Sequence, residues 1–193
     1  MIRNLERQDI EHVCELHLSE FKNSFFCMLG KDFLRELYWG IMDSGDAVSI
    51  ICEEDGEIIG FASAALKPER FFRKLASSSF LNFSVHVILK AIKNPKIIFH
   101  GIQTLYYPSR VRTPADSELL AVAVSEKHRN KGIGSKLVSK LIEELKNREA
   151  CDVKVVVDEA NIEGNLLYES NGFTKKKTIT MYGKKMNVYA RTL

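Results

Sequence analysis

Hydrophobic positions change period several times along the chain, and each change marks an element. Ile2 to Leu5 alternates weakly and predicts a short first strand. Asp9 then suits a helix N-cap. Ile10, Val13, Cys14, Leu16, His17, Leu18 and Phe21 follow at near-helical spacing, which predicts a helix over 10–22. Phe33, Leu34, Leu37, Tyr38 and Ile41 form the stripe of a second helix, Lys31 to Met42, punctuated by Gly30 and Gly45. Val48–Cys52 and Glu57–Leu66 are β-rich runs either side of Asp55-Gly56, a strong hairpin signal. Ser117 to Val124 is almost continuously apolar and fits a strand buried on both faces. Helical spacing returns at Ile133, Leu137, Val138, Leu141, Ile142 and Leu145, predicting a helix over Gly132 to Arg148. Val153–Val157 reads as a short buried strand. Asn161–Ser170 reads as a helix ended by Asn171-Gly172. Phe173–Thr180 and Lys185–Arg191 make a closing hairpin around Tyr182-Gly183. The expected fold is a mixed α/β one: a central, mostly antiparallel sheet with helices on both faces, in a single domain spanning 1–193.

Composition narrows the class. At 45% hydrophobic and 27% charged residues the chain is an ordinary globular protein. A formal net charge of +3 is too small to argue for nucleic acid. The first residues carry charges where a signal peptide would be apolar, and no apolar run approaches bilayer length. Cys14, Cys27, Cys52 and Cys151 form no C-x-x-C pair. The cytoplasm is the expected compartment.

Residues 67–112 stand apart. They hold nine Lys or Arg against one acid, Glu69, so the segment is +8 within a chain of +3. They are also apolar, at Phe71, Phe72, Leu75, Phe80–Ile92 and Ile97–Tyr107. Two or three short helices are expected, broken at Pro95 and Pro108. Such a segment reads as a helical flap with a solvated basic face, or as a surface for an anionic acceptor or membrane. His86 and His100 lie in it without a carboxylate or Cys at ligand spacing, so no metal is expected.

The stretch with the most chemistry is Glu118 to Gly134. A carboxylate opens a buried strand, a polar loop follows, and Arg129-x-x-Gly132-x-Gly134 opens a helix. The first-turn N–H groups of that helix have no internal partner and suit an anion, usually phosphate. Neither G-x-G-x-x-G nor the P-loop spacing is present. The arrangement resembles the GCN5-related N-acetyltransferases, whose signature is a strand followed by [Q/R]-x-x-G-x-[G/A]. A second segment, Asn161 through Tyr168 to Gly172-Phe173, is similar to that family's downstream Asn…LY-E-x-x-GF signature.

The resemblance implies an acyl-CoA N-acyltransferase (GNAT) fold, with 67–112 as a basic helical insertion between the third and fourth strands. It implies acetyl-CoA as cosubstrate and a primary amine as acceptor. Backbone amides of Arg129, Asn130, Lys131, Gly132, Ile133 and Gly134 would hold the pyrophosphate. Val122, Ala123 and Val124 would hold the pantetheine arm and the thioester oxygen, if the strand splays as it does in the family. Asn161 would bond that arm or cap its helix. Glu118 sits where some members carry a general base, and a carboxylate beside a buried strand is expected to have a raised pKa. The alternative is an exposed strand-end carboxylate. Tyr168 sits where the family places the acid that protonates the CoA thiolate; the alternative is a packing aromatic. The basic insertion favours an anionic small-molecule acceptor, such as an amino-sugar nucleotide or glycan precursor. A peptide N-terminus is the competing acceptor, and a non-catalytic CoA-binding or membrane-surface module the competing class. A homodimer is compatible with either.

Overall fold

The computed structural model describes residues 1–22, 24–78 and 115–193. Its elements are β1 (Ile2–Asn4), α1 (Ile10–Glu20), α2 (Phe25–Leu29), α3 (Lys31–Asp43), β2 (Ala47–Glu54) and β3 (Glu57–Ala65). These are followed by α4 (Pro68–Ser78), β4 (Ser117–Val124), α5 (Ile133–Asn147), β5 (Asp152–Asp158), α6 (Ile162–Ser170), β6 (Thr174–Met181) and β7 (Lys184–Thr192). Helix α4 realises the first of the expected insertion helices, with Pro68 at its first position. The rest of that expectation, with His86, His100, Pro95 and Pro108, lies outside the described residues. Among the described residues no helix is long and apolar enough to cross a membrane.

The seven strands form one sheet in the order β1-β2-β3-β4-β5-β7-β6. The β4–β5 pair is parallel and the other neighbours are antiparallel. Both tight hairpins follow from local chemistry. Asp55 and Gly56 have φ of 51° and 80°, and Tyr182 and Gly183 have 54° and 74°, the left-handed pair that a two-residue turn requires.

Each sheet face carries its own apolar layer. On one face α5 buries Leu137, Val138, Leu141, Ile142 and Leu145 against Val48, Ile50, Leu119, Val153 and Val155, with Tyr168 and Phe173 closing the end. On the other, α1, α2, α3 and α4 bury Val13, Leu34, Tyr38, Ile41 and Phe71 against Ile51, Phe61 and Ala123. The aromatic-rich pair of helices therefore builds core, and Phe25 and Phe26, between them in sequence, form the short helix α2. Phe25 stacks on Tyr182 at the tip of the last hairpin, 6.1 Å between ring centres.

Asp9 holds the N-cap position of α1 as expected, but without a side-chain capping bond. Its carboxylate is not the cap of α1; it accepts from the Glu6 amide at 2.8 Å and from Arg3 at 2.6 and 2.9 Å. A strand cation competes for the group that would have capped the helix, and the result ties β1 to the start of α1.

A polar chain is buried in the second layer. His17 Nδ1 lies 2.7 Å from the Tyr38 hydroxyl, and Ser49 and Ser63 share a hydrogen bond of 2.8 Å across β2 and β3. His17 packs on Phe21 and Phe61 and is 3% exposed. Burial pushes its pKa down from 6.5 to about 4. The neutral ring is thus the folded form, so its stabilisation is full above pH 6.5 and is lost as pH falls towards 4. The difference is on the order of 3 kcal/mol. Urea unfolding of the wild type should therefore lose about 2–3 kcal/mol more between pH 7 and pH 4.5 than that of His17→Gln. Equal losses would show that His17 titrates normally in the folded chain.

Candidate active site

Strand β4 is held by β3 from Glu118 to Val124 but by β5 at only two positions, Ser117↔Val153 and Glu118↔Lys154. Both strands continue, β4 to Val124 and β5 to Asp158, so they diverge and open a split in the sheet. A bulge accompanies the opening. Ala121 pairs with Ser63 and Leu119 with Ala64, leaving Leu120 as the extra residue. Both Leu120 and Ala121 pack into the layer of α1–α4.

The direction of the β4 amides follows from one bond. The Ser125 N–H donates to the Ile59 carbonyl at 2.8 Å. Antiparallel alternation then turns the Ala123 N–H towards β3, and those of Val122 and Val124 towards the split. Ala123, 6% exposed, contributes its methyl to the core on the α1–α4 side. The Val124 carbonyl, on the split side, accepts from Arg129 Nε at 3.3 Å.

The loop after β4 continues this run of amides. Asn130 and Gly132 have φ of 61° and 73°. Left-handed residues in alternation turn successive N–H groups to one side and make an anion-binding concavity. Among the described residues, the six amides from Asn130 to Ser135 have no acceptor; the first bond of α5 is Lys136 N–H to the Gly132 carbonyl at 3.1 Å. Lys127, Lys131 and Lys136 stand exposed around them. The guanidinium of Arg129 is engaged elsewhere, paired with Glu20 at the end of α1. Gly134 faces inward: a Cβ there would sit 3.4 Å from Leu167 Cδ1 and 3.9 Å from Val124 Cγ2, so β4, α5 and α6 converge at this point. Ile133 is half-buried against the α5 layer.

Glu118 and the loop occupy opposite ends of the split. Val124 lies six positions after Glu118 along the strand, about 20 Å. The Glu118 side chain is 13% exposed and lies 3.6 Å from the ammonium of Lys154, itself 11% exposed. Desolvation alone would favour the neutral acid, as its place in sequence leads one to expect; the adjacent cation opposes that. Lys154 was the residue that pattern reading passed over. The signal was a single charge inside an otherwise valine-rich buried run.

Tyr168 enters from the other face, on α6. Its ring packs on Phe173 and Tyr189, at centroid distances of 5.6 and 6.3 Å. It is 7% exposed, and burial pushes its pKa well above the ordinary phenol range. Its hydroxyl has no hydrogen-bond partner among the described residues. An unpaired buried hydroxyl costs about 1–3 kcal/mol. Such groups are rare and call for a reason, a bound ligand among them.

Helix α6 is fixed by two asparagines. Asn161 Oδ1 accepts from the Gly164 N–H at 2.9 Å, so its side chain caps the helix. Asn165 was not singled out by pattern. Its Nδ2 donates to the Asp158 carbonyl at 3.0 Å, and its Oδ1 accepts from Asn187 Nδ2 at 2.8 Å and the Tyr189 hydroxyl at 2.9 Å. These bonds lock α6, and with it Tyr168, to β5 and β7.

The arrangement offers aligned donors for an extended anionic ligand, a carboxylate at one end, and on α6 a buried phenol that keeps its proton. Gly132 tests the anion end, because a Cβ there meets no atom within 4 Å. Gly132→Asp should weaken acetyl-CoA binding about tenfold or more, equivalent to about 1.4 kcal/mol of repulsion. Gly132→Asn, which tolerates the same backbone, should stay within about threefold of the wild type. Calorimetry decides this, and equal affinities for the Asp and Asn variants would remove the loop from the binding site.

A search of the curated proteins finds no match to this chain. Solved structures match it along its whole length. An N-acetyltransferase from Staphylococcus aureus Mu50 has a TM-score of 0.66 at 17% identity, covering 100% of this chain and 97% of that one. A ribosomal-protein-alanine N-acetyltransferase from Brucella melitensis has a TM-score of 0.64 at 17% identity, covering 100% and 99%. A Salmonella typhimurium protein, solved with its cofactor acetyl-CoA, has a TM-score of 0.66 at 16% identity, covering 100% and 92%. At such identities these similarities establish the fold alone. The model of the acetyltransferase (GNAT) family matches residues 11–173. That match spans most of the sequence, and the chain belongs to the acetyltransferase (GNAT) family.

Proposed function

We propose that this enzyme moves an acetyl group from acetyl-CoA to a primary amine by direct attack within the β4–β5 split. The observation that carries the reading is the line of amides that have no acceptor among the described residues. Val122 and Val124 face the split, and Asn130 to Ser135 continue the line into the loop. The loop amides, through Gly134, take the pyrophosphate, and the strand amides take the pantetheine arm and the thioester oxygen. The oxyanion that develops on attack then meets a donor already in place.

In the reaction, the amine nitrogen bonds to the thioester carbon and the carbonyl electrons move onto oxygen. Collapse breaks the carbon–sulfur bond and gives an amide and a CoA thiolate. The attacking nitrogen loses its proton to Glu118, directly or through water, and the thiolate takes one from Tyr168. The high pKa of Tyr168 keeps its proton in place at working pH, and its hydroxyl has no competing acceptor among the described residues. Solvent returns both residues to their starting states.

The acceptor reading rests on charge. Residues 67–112 are strongly basic, and the nearest cation to Glu118 among the described residues is Lys154. Both favour an acceptor bearing one amine and an anionic group over a polyamine. A peptide N-terminus is the second reading, favoured by the similarity to a ribosomal-protein-alanine N-acetyltransferase. The cytoplasm is the setting this reading takes for the reaction.

Tyr168→Phe should lower kcat about tenfold or more while leaving acetyl-CoA affinity unchanged. Glu118→Gln should lower kcat/KM most at the acid end, where free amine is scarcest. Thiol release measured across pH with amino-sugar nucleotides and peptides reads both effects and ranks the acceptors. Full activity of Tyr168→Phe would return that residue to packing, and a pH-independent loss in Glu118→Gln would make it a positioning group.

A further inference from the structure

Lys154 is a buried cation that the reaction as written does not use. It sits in β5 between Val153 and Val155, which are 0% and 4% exposed, in a strand otherwise suited to valine. Its register partner on β4 is Glu118, at the last pair before the strands part. The ammonium lies 3.6 Å from Glu118 Oε2, and both side chains are about nine-tenths buried. A carboxylate at that depth loses hydration and drifts towards the neutral acid; an ammonium within 4 Å reverses the drift. A charged pair here costs desolvation, and a well-packed apolar pair is commonly as stable. Stability is therefore a poor explanation for a lysine in this strand.

We propose that Lys154 is a positioning residue for the transfer: its ammonium holds the Glu118 carboxylate ionised and fixed at the closed end of the split. The proposal deepens the reading of Glu118 as base and rests on it. Lys154 is the cation within 4 Å of Glu118 among the described residues, and the other charged groups near this face are exposed or engaged, including Arg148 at the end of α5, which donates to the Ala47 carbonyl at 3.3 Å. Along β4, Asp116 is exposed. Along β5, Asp152 is bonded to the Thr192 hydroxyl at 3.0 Å. On β3 the partner of Glu118 is Ala65, and beyond it Asp46 is occupied by Arg70 at 3.1 Å and Lys74 at 2.6 Å. On β7 the partner of Lys154 is Ala190, and the Arg191 guanidinium donates to the Asn171 carbonyl. The consequence for the substrate is that the pair presents no net charge. The carboxylate can then take a proton without holding a cationic acceptor as a permanent counter-ion.

Carbon-13 NMR of the Glu118 side-chain carboxyl, assigned by comparison with Glu118→Gln, tests this without reference to turnover. In the wild type the carboxyl should titrate below the ordinary glutamate range. In Lys154→Met its midpoint should rise by about one pH unit or more, and in Lys154→Arg it should return towards the wild type. The acid limb of kcat/KM should move with it, whereas a merely structural lysine would scale the profile without shifting it. An ordinary or raised midpoint in the wild type overturns the proposal, and needs no variant to fold. A midpoint that does not move in folded Lys154→Met overturns it equally. If instead the carboxyl midpoint moves and the acid limb stays, Lys154 controls Glu118 but Glu118 is not the base, and the functional reading fails separately.

Discussion

The parting of β4 from β5 after two residue pairs is the constraint from which the site follows. A central strand normally spends its amides on both neighbours. Here β3 pairs with one edge of β4 from Glu118 to Val124, across the Leu120 bulge, and β5 pairs with the other only at Ser117 and Glu118. Among the described residues, Val122 and Val124 are left with donors that face the split and have no acceptor, and the Leu120 bulge re-aims the strand at the point of departure. Leaving backbone groups unpaired is costly unless something pairs them. The loop from Asn130 to Ser135 repeats the same condition by a different route, with left-handed Asn130 and Gly132 turning amides outward. One continuous ligand can satisfy both sets, and on that ground we propose this end of the sheet as the acetyl-CoA site.

The two ionisable groups proposed for the chemistry are tuned in opposite senses. Tyr168 is surrounded by Phe173 and Tyr189 and keeps its proton because burial opposes the phenolate. Glu118 is also largely buried but has a cation beside it. Burial therefore favours the donor form of one and, through Lys154, the acceptor form of the other. Both groups sit on elements that cannot easily shift: Glu118 on a strand paired on both edges, and Tyr168 on a helix that Asn165 fastens to β5 and β7.

Much of this was legible in the residues, and the exceptions are instructive. Apolar period placed the strands and the long helices to within a residue or two, because the buried faces of α3 and α5 have no other use. Asp55-Gly56 and Tyr182-Gly183 declared their turns through the need for positive φ. The loop's anion-binding character was visible in Arg-x-x-Gly-x-Gly. The split was not, since a strand's pairing depends on where its neighbour goes, and nothing in Leu119–Val124 records the departure of β5. Asp9 does hold the N-cap position of α1, but the use of its carboxylate was not legible because its partner, Arg3, is a through-space neighbour. Lys154 and Asn165 escaped for a similar reason. Each looks like a single polar residue in an apolar element until the opposite strand or helix is in place.

The central claim is that one ligand lies along the amides of β4 and its loop that have no acceptor among the described residues. Amide NMR during titration with acetyl-CoA measures that claim residue by residue. The account predicts that the N–H signals of Val122, Val124 and Asn130 to Ser135 shift together on binding and become protected from solvent exchange. The Ala123 signal, already bonded towards β3, should move least within the strand. Binding that perturbs other amides and leaves these unmoved would contradict it.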